Sequence, residues 1–318
     1  MGEQYTRIKY RILRNMIVGA DWSQLENRII AILSGDPKLL EWYAADVDVH
    51  CETAKILFDL PDDLQDGYWK PGATCLACGH VDHRVFKDHV SHVCSSCGHV
   101  GAKIWIRGPQ QRQIAKGARY AFHYGAAEET MLGQLQATWP DMGLRDVRRL
   151  RDKLTKIHAT LARWQRSQQR TARLEGYVEA PLSGRRYQFY GVVDMAKLRN
   201  LPIQSTGADL ANEAMLGIVD HLGIDTRLGV NPDTDDAVYA QLHDAIYLEG
   251  PNPFRLFDAL QKHMAVDVKL NGNSLNFPID VGIGWSWDVE KVKSREHLKA
   301  MLPAFMKEGE ERGYVVKS

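Results

Sequence analysis

The sequence predicts an α+β fold in which a layer of helices covers a small antiparallel sheet. Three features predict it: a short apolar strand at residues 16–20, helical patterns through the middle of the chain, and β segments from residue 238 onward. The chain contains no internal repeat and no low-complexity tract. A solenoid or a fibrous protein is therefore excluded.

The first element is the strand MIVGA at residues 16–20, which runs directly into Asp21. A helix is predicted next, because apolar residues from Leu25 to Leu33 recur at helical spacing and Gly35 supplies a C-terminal stop. Helix and loop are predicted to continue over residues 36–60.

Two further helical stretches are predicted, over residues 110–125 and over about 144–174. The second carries ten Lys or Arg residues between Arg145 and Arg173. Such a charge run suits contact with a nucleic-acid template, but an ordinary solvated face explains it equally well.

The last part of the chain has the alternation of β strands. Residues 238–249 predict a hairpin whose turn contains His243 and Asp244, and residues 266–281 predict another β segment.

Composition limits the classes of function. The 318 residues suffice for two domains, and forty basic residues balance forty acidic ones. A wholly basic nucleic-acid coat is thereby excluded, although a locally basic groove is not. No apolar run reaches the roughly 18 residues that span a bilayer, and the N-terminus lacks the apolar core of a signal peptide. We therefore expect a cytoplasmic protein with no membrane partner.

A cysteine-rich segment, residues 72–101, is predicted to be a small inserted module. Two C-x2-C pairs lie fifteen residues apart, and each pair continues with Gly-His. Because each pair directs two thiolates to one ion, the two pairs complete a closed tetrahedral site. We predict a structural zinc ribbon with one Zn²⁺ held by Cys75, Cys78, Cys94 and Cys97. Four reduced buried cysteines or a redox pair are the alternatives.

Two aspartates follow apolar strand positions, Asp21 after the first strand and Asp244 in the hairpin turn. A carboxylate at the end of a buried strand is costly unless it is paired or binds metal. Two such positions together could hold divalent metals for an in-line phosphoryl displacement. Each aspartate taken alone also has an ordinary explanation as a turn or N-cap residue.

The helix RQIAKGARYAFHY carries a face of mixed chemistry. Arg112, Lys116, Tyr120 and Tyr124 recur every four residues and therefore lie on one side of the helix. The two cations suit a polyphosphate and the two rings suit a base or base pair. An amphipathic helix with a solvated basic edge is the alternative.

Taken together, these segments resemble family A of the DNA polymerases, the bacterial polymerase I group. ADWSQLENRIIAILSGD resembles motif A, RQIAKGARYAFHYG resembles motif B and LHDAIYLE resembles motif C. DVDVHCETAKILF, LSGRRYQF, LPIQSTGADL and IDVGIGWSW resemble other segments of the family, in the right order. The resemblance covers most of residues 17–288 outside the insert. It implies template-directed synthesis of DNA from dNTPs on a primer–template, with two Mg²⁺ ions.

The resemblance also implies a role for each matching residue. Asp21 and Asp244 match the metal-binding aspartates, with the main-chain carbonyl of Trp22 completing a metal shell. Lys116 matches the residue that grips the triphosphate and donates a proton to pyrophosphate. The other implied contacts are Arg112, Gln24 and His50 at the triphosphate, Glu26 as the gate against a ribose 2′-hydroxyl, Tyr120 at the sugar, Tyr124 at the template base, and Asn200, Gln204 and His243 at the minor groove and primer end.

The sequence departs from the family pattern at several of these motifs. Ala245 stands where the family often has a Glu after the motif C aspartate, which predicts weaker metal binding without excluding activity. Gln113, Arg119 and Arg199 also replace more usual residues, and the cysteine-rich insert is not part of the common pattern.

The resemblance implies a domain order. Residues 1–48 match the first part of the palm, 49–200 the fingers with their motif B helix and zinc insert, 201–290 the second part of the palm, and 291–318 a C-terminal tail. The family's thumb precedes motif A, and only twenty residues precede Asp21 here. We therefore expect a fragment or one subunit of a split polymerase of bacterial or phage origin, with a second polypeptide that carries the thumb and an exonuclease.

Three other functions remain as hypotheses. An RNA polymerase or reverse transcriptase would use the same palm, but Glu26 argues against RNA synthesis. A non-catalytic, zinc-stapled DNA-binding subunit predicts DNA affinity without synthesis. A two-metal nuclease leaves the face formed by Arg112, Lys116 and Tyr120 unexplained.

Overall fold

The structure of the chain is a computed structural model that describes residues 10–12, 15–59, 73–74, 81–82, 96–97, 108–189 and 195–317. It has a mixed α/β fold with small antiparallel sheets and many helices, as the sequence predicts. The chain divides into two compact units. The sheet unit contains Met1–Leu33, Glu179–Tyr187 and Leu201–Ser318, and the helical unit contains Ser34–Val178 and Gln188–Asn200.

The described residues form ten helices and thirteen strands. The helices are α1 (Leu25–Ser34), α2 (Pro37–Ala44), α3 (Val49–Leu57), α4 (Gly108–His123), α5 (Glu128–Gln136), α6 (Leu144–Ile157), α7 (Ala159–Glu175), α8 (Met195–Leu222), α9 (Pro253–Met264) and α10 (Arg295–Glu311). The strands are β1 (Tyr10–Ile12), β2 (Met16–Trp22), β3 (Ala73–Thr74), β4 (Val81–Asp82), β5 (Tyr177–Glu179), β6 (Arg186–Gln188), β7 (Ala237–Leu242), β8 (Ala245–Gly250), β9 (Val266–Leu270), β10 (Asn273–Phe277), β11 (Ile279–Gly284), β12 (Glu290–Val292) and β13 (Val315–Lys317).

The main sheet of the sheet unit is antiparallel, in the order β12-β11-β2-β8-β7. Its central strand is β2, so the apolar run that the sequence analysis singled out lies between two partners and is buried. One face of β2 packs on α9, where the indole Nε1 of Trp22 donates to the carbonyl of Met264 at 2.7 Å. Because side chains alternate along a strand, Asp21 lies on the opposite face.

A close contact on that opposite face requires a glycine. A Cβ atom on Gly19 would lie 2.5 Å from the ring of Tyr247, its cross-strand partner on β8. The hairpin of β7 and β8 turns at His243 and Asp244, which confirms the predicted hairpin.

The segment predicted as one β stretch over residues 266–281 contains three strands, β9, β10 and the start of β11. Asn271 and Gly272 turn the chain between β9 and β10 with positive φ angles of 52° and 77°. An Asn-Gly pair is the usual sequence of such a two-residue turn, so the sequence did contain this signal.

In the helical unit, side-chain caps account for where the early helices begin. Asp36 accepts a bond from the Leu39 amide at the start of α2, and Asp48 accepts bonds from the His50 and Cys51 amides at the start of α3. The predicted helix over 110–125 corresponds to α4. Cys51 lies in α3, where it is almost fully buried.

The helix predicted over about 144–174 is two helices, α6 and α7, which meet at His158. His158 is completely buried, and its Nδ1 lies 3.1 Å from Oδ1 of Asp36. The other carboxylate oxygen of Asp36 accepts a bond from the Leu161 amide, in the first turn of α7. Asp36 therefore anchors the junction, and α7 ends at Gly176 in the left-handed conformation.

The predicted zinc ligands Cys75, Cys78 and Cys94 lie outside the described residues. Cys97 is described, and it is exposed and not in a disulfide. Among the described helices, none combines the length and the apolar character that a membrane crossing requires.

Candidate active site

Two chain segments bring Asp21 and Asp244 to neighbouring positions of the main sheet. Asp21 is paired with Ala245 across β2 and β8, and Asp244 immediately precedes Ala245 in the hairpin turn. On its other side Asp21 is paired with Asp280 of β11. Two carboxylates that are 223 positions apart in sequence therefore meet at one edge of the main sheet, where β2 ends and β8 begins.

The electrostatics at this edge favour a cation. Partial burial at the strand end, together with the negative charges of Asp280 and Asp244, raises the pKa of Asp21 above its ordinary value. Lys291 opposes this shift and forms an ion pair with Asp280. The carboxylates thus repel one another, and a bound divalent cation would relieve that repulsion.

Asp280 was not among the residues selected from sequence. Its place beside Asp21 follows from the register of β11 against β2, which no local pattern reveals. No group of three His, Cys, Asp or Glu side chains in the described part of the chain is arranged to hold a metal ion. The effect of Asp280 on Asp21 that the structure shows is that of its negative charge.

The turns next to the two aspartates contain two residues with unusual backbone conformations. Gln24, in the turn after Asp21, has a φ of 57°, and His243, directly before Asp244, has a φ of 54°. Non-glycine residues in this left-handed region are strained, and such strain is concentrated at functional sites. The side chain of His243 is exposed, so packing does not account for the histidine there.

We expect His243→Gly to raise the free energy of unfolding by about 0.5–1 kcal/mol, because glycine adopts this conformation without steric cost. Urea denaturation measures the change. His243→Ala is the matched control: it removes the ring but keeps the strain, so it should give no gain. A glycine variant that is no more stable than the alanine variant would show that the turn stores no strain.

A buried arginine holds the chain that leaves Asp21. Nε of Arg28 donates to the Ser23 carbonyl at 3.1 Å, and its Nη1 donates to the Asn276 carbonyl at 2.9 Å. The amide of Ser23 also donates to the Pro278 carbonyl. These bonds fix the main chain at Trp22 and Ser23, where the resemblance implies a carbonyl ligand. Arg28 was not predicted from the sequence, because its second partner, Asn276, is 248 positions away.

The predicted sugar gate contacts another predicted site residue. Nε2 of Gln204 donates to Oε1 of Glu26 at 2.5 Å. Glu26 lies in the first turn of α1 and Gln204 lies on α8. The family resemblance implies roles for these two residues at different parts of the substrate.

In the helical unit, Arg112, Lys116 and Tyr120 of α4 and Tyr124, directly after its end, are all half-exposed, and their spacing places them on one face. The rings of Tyr120 and Tyr124 are nearly parallel, with centroids 6.4 Å apart and an angle of 10° between their planes. The helix therefore presents its two cations at one end of this face and a stacked aromatic pair at the other.

Arg112 is held by an acidic partner. Its Nε donates to Oδ2 of Asp48 at 2.7 Å, while Oδ1 of Asp48 caps α3. The hydrogen bond and charge of Arg112 outweigh the effect of burial and lower the pKa of Asp48. Asp48 thus couples the start of α3 to the triphosphate-binding residue that the resemblance predicts on α4.

His50 lies in a strongly cationic environment. It is almost fully buried, and its ring centroid lies 6.0 Å from that of Tyr120. Burial, followed by the charges of Arg119, Arg112 and Lys116, lowers the pKa of His50 to about 3. His50 is therefore neutral at physiological pH, and the positive potential around it suits an anionic ligand.

Two departures from the family pattern have structural consequences in the helical unit. Arg119 is fully buried, and its Nη2 donates to the Tyr43 hydroxyl at 2.9 Å. Arg199 donates from Nη1 to the Gly125 carbonyl at 2.9 Å, just beyond the C-terminus of α4, where a cation is favourable. Asn200, the neighbour of Arg199, has a buried Oδ1 without a hydrogen-bond partner.

Each unit thus brings together some of the residues predicted to form the active site. The sheet unit contains Asp21, Trp22, Gln24, Glu26, Gln204, His243 and Asp244, and the helical unit contains His50, Arg112, Lys116, Tyr120, Tyr124 and Asn200.

Comparison with known proteins gives a consistent result. The profile of DNA polymerase family A matches residues 7–67 and 100–289 of the chain, which lie on either side of most of the cysteine-rich segment. The thermostable DNA polymerase I of Thermus filiformis is 26% identical over 286 residues, covering 86% of this chain and 27% of that protein. DNA polymerase I A of Arabidopsis thaliana chloroplasts and mitochondria is 26% identical over 245 residues, covering 74% of this chain and 20% of that protein.

A solved structure supports the fold. The chain superposes on the POL domain of Pol1 from M. smegmatis, in complex with DNA primer-template and dNTP, with a TM-score of 0.61. The identity is 21%, and the match covers 87% of this chain and 40% of that one. The chain thus spans 27% of the length of the Thermus relatives and 40% of the chain of the solved structure.

Proposed function

Since the chain belongs to DNA polymerase family A, we propose that it catalyses template-directed DNA synthesis, adding dNTPs to a primer 3′-hydroxyl with release of pyrophosphate. The single observation that carries this proposal is the meeting of Asp21 and Asp244 across β2 and β8. In this proposal the sheet unit is the palm and the helical unit is the fingers.

The donor set at the sheet edge fits Mg²⁺. Carboxylate and carbonyl oxygens are the ligands that Mg²⁺ prefers, and Mg²⁺ usually keeps several waters, so two carboxylates suffice. Asp21, Asp244 and the carbonyl of Trp22 would hold the two ions. When bound, these ions lower the pKa of the primer hydroxyl and stabilise the charge on the transferring phosphate.

The residues of the helical unit would bind and orient the nucleotide. Lys116 and Arg112 hold the triphosphate by charge-assisted hydrogen bonds, and Asp48 keeps the Arg112 guanidinium in place. Neutral His50 offers a ring nitrogen to the same group. Lys116 is also placed by family resemblance to give its proton to the departing pyrophosphate.

The remaining site residues would select the substrate. Tyr120 contacts the sugar, Tyr124 stacks at the template base, and Glu26 excludes a 2′-hydroxyl. Asn200, Gln204 and His243 contact the minor groove and the primer end, with Gln24 near the triphosphate tail. A contact with the primer end would explain why a histidine with a strained backbone, His243, occupies the hairpin turn.

The test is single-nucleotide primer extension, using the protein together with anything that co-purifies with it from its source. We expect Mg²⁺-dependent incorporation of only the dNTP complementary to each template base, and strong preference for dNTPs over NTPs. DNA binding without incorporation would instead support the non-catalytic DNA-binding subunit, and equal use of dNTPs and NTPs would overturn the role of Glu26.

We also propose that the primer–template grip depends on a second polypeptide. The chain spans 27% of the length of its Thermus relatives, and the family resemblance implies a thumb that grips the primer–template. Co-purification tests this directly: a partner that stimulates extension supports it. Full activity of the chain by itself would contradict it.

For the cysteine-rich segment we propose one structural Zn²⁺ held by Cys75, Cys78, Cys94 and Cys97. Because a small module of this kind folds around its metal, chelation should lower the melting temperature or weaken partner binding before it affects nucleotide incorporation. A melting temperature, assembly and DNA affinity that all stay unchanged in chelator would rule out the ribbon. The matched control is the variant Cys51→Ser, whose response to chelator should equal that of wild type.

A further inference from the structure

The contact between Gln204 and Glu26 joins two predicted site residues that are 178 positions apart. We propose that Gln204 is a positioning residue for sugar selection: its amide holds the Glu26 carboxylate in the orientation that excludes a ribose 2′-hydroxyl. This inference rests on the proposed polymerase function. It adds to the primer-end contact that the family resemblance implies for Gln204.

Helix packing in the sheet unit brings the two side chains together. At Gly207 of α8, a Cβ atom would lie 3.5 Å from the side chains of both Leu25 and Ile29 of α1, so the two helices are in direct contact there. Gln204 precedes Gly207 by three residues, and Glu26 precedes Ile29 by three. Residues three apart are neighbours on a helix surface, so the polar pair lies one turn from the apolar contact.

The local structure of α8 directs Gln204 away from the core. The hydroxyls of Ser205 and Thr206 both donate to the carbonyl of Pro202, at 3.2 Å and 2.7 Å. Both residues are buried, whereas Gln204 is exposed. The turn after the proline is therefore fixed by its two inward hydroxyls, and the Gln204 side chain emerges at a defined place beside α1.

A gate of this kind depends on where the carboxylate is held. Glu26 is half-buried, and its side chain has several rotatable bonds, so an unheld carboxylate could turn aside and leave room for a 2′-hydroxyl. A hydrogen bond to an ionised acceptor is about twice as strong as a neutral one.

The chemistry of the amide permits both roles at once. A glutamine amide has two N–H donors and one acceptor oxygen. One N–H donates to Glu26, so the second N–H and the oxygen are available to a primer base edge. Sugar discrimination and primer contact should consequently be separable by substitution.

The experiment measures kcat/KM for one dNTP and its matching NTP in single-nucleotide extension. Gln204→Met keeps the length of the side chain but removes the donor, and we expect the dNTP-over-NTP ratio to fall about tenfold, the loss of one charge-assisted bond. Gln204→Lys restores a donor to Glu26 and should recover most of the ratio. Asn200→Ala is the control for a lost primer-end contact, expected to lower both rates and leave the ratio unchanged.

A double-mutant cycle tests whether Gln204 affects the dNTP-over-NTP ratio through Glu26. Glu26→Ala should lower the ratio at least as far as Gln204→Met, and adding Gln204→Met to Glu26→Ala should lower it no further. If Gln204→Met lowers both rates equally, as Asn200→Ala does, Gln204 is a primer contact alone and the inference is wrong. A wild-type protein that extends no primer would instead overturn the proposed function itself.

Discussion

Asp21→Asn and Asp244→Asn are each expected to reduce primer extension by at least about a thousandfold, which corresponds to about 4 kcal/mol of lost transition-state stabilisation. Each variant removes one of the two carboxylates that would hold the catalytic ions. Asparagine preserves the shape of the side chain, so the loss reports on charge and metal binding. Steady-state extension with saturating dNTP measures it.

Asp21→Asn is not expected to destabilise the folded chain. Because partial burial and the charges of Asp280 and Asp244 raise the pKa of Asp21, its charge is unfavourable in the folded chain. Water still screens this partly exposed group, so Asp21→Asn should leave the free energy of unfolding unchanged or raise it by less than about 1 kcal/mol. Lost activity with retained stability would exclude misfolding as the cause.

The matched control is Asp258→Asn, on the helix that packs against the opposite face of β2. Asp258 is exposed and forms an ion pair with Arg295, so the variant loses a surface ion pair that lies away from the proposed metal site. Its extension rate should stay within about twofold of wild type. If Asp21→Asn or Asp244→Asn extended primers as well as Asp258→Asn, the assignment of the metal site would be wrong.

The second large effect concerns stability against pH. Burial, with the nearby charge of Arg119, lowers the pKa of His50 to about 3 and that of His123 well below its ordinary value. Below about pH 6.5 the unfolded chain binds a proton at each histidine, whereas the folded chain does not. Each histidine should therefore reduce the free energy of unfolding by up to about 1.4 kcal/mol per pH unit below that point.

Between pH 6.5 and pH 5 the two histidines together should lower the free energy of unfolding by about 3 kcal/mol, with little change above pH 7. Urea denaturation at several pH values measures this. His50→Gln should remove about half of the pH dependence, whatever its effect on stability at pH 7.5. His221→Gln, at an exposed position, should keep the wild-type dependence. If the free energy of unfolding of His50→Gln fell as steeply with decreasing pH as that of wild type, His50 would be protonated in the folded protein.

Local signals in the sequence predicted the elements that carry Asp21 and Asp244. The apolar run before Asp21 forms a central strand, Gly35 follows the end of α1, and the hairpin turns at His243 and Asp244. These features depend on residues within a few positions of one another, so composition and spacing were sufficient to predict them.

Features that depend on distant contacts were not predicted. The break between α6 and α7 results from His158, whose partner Asp36 is 122 positions away. Asp280 lies beside Asp21 because of strand register, and Gln204 reaches Glu26 because α8 packs on α1. No single segment contains such information, since it arises only when the elements pack.

The most direct test of the central claim is to count metal ions by electron paramagnetic resonance with Mn²⁺. The sample is the protein with a primer–template that ends in a dideoxynucleotide and with the complementary dNTP, so that binding is measured without chemistry. We predict two Mn²⁺ ions beyond those bound by the DNA and nucleotide alone, and loss of this binding in Asp21→Asn and Asp244→Asn. Equal Mn²⁺ binding by wild type and both variants would contradict the claim that these two aspartates form the metal site.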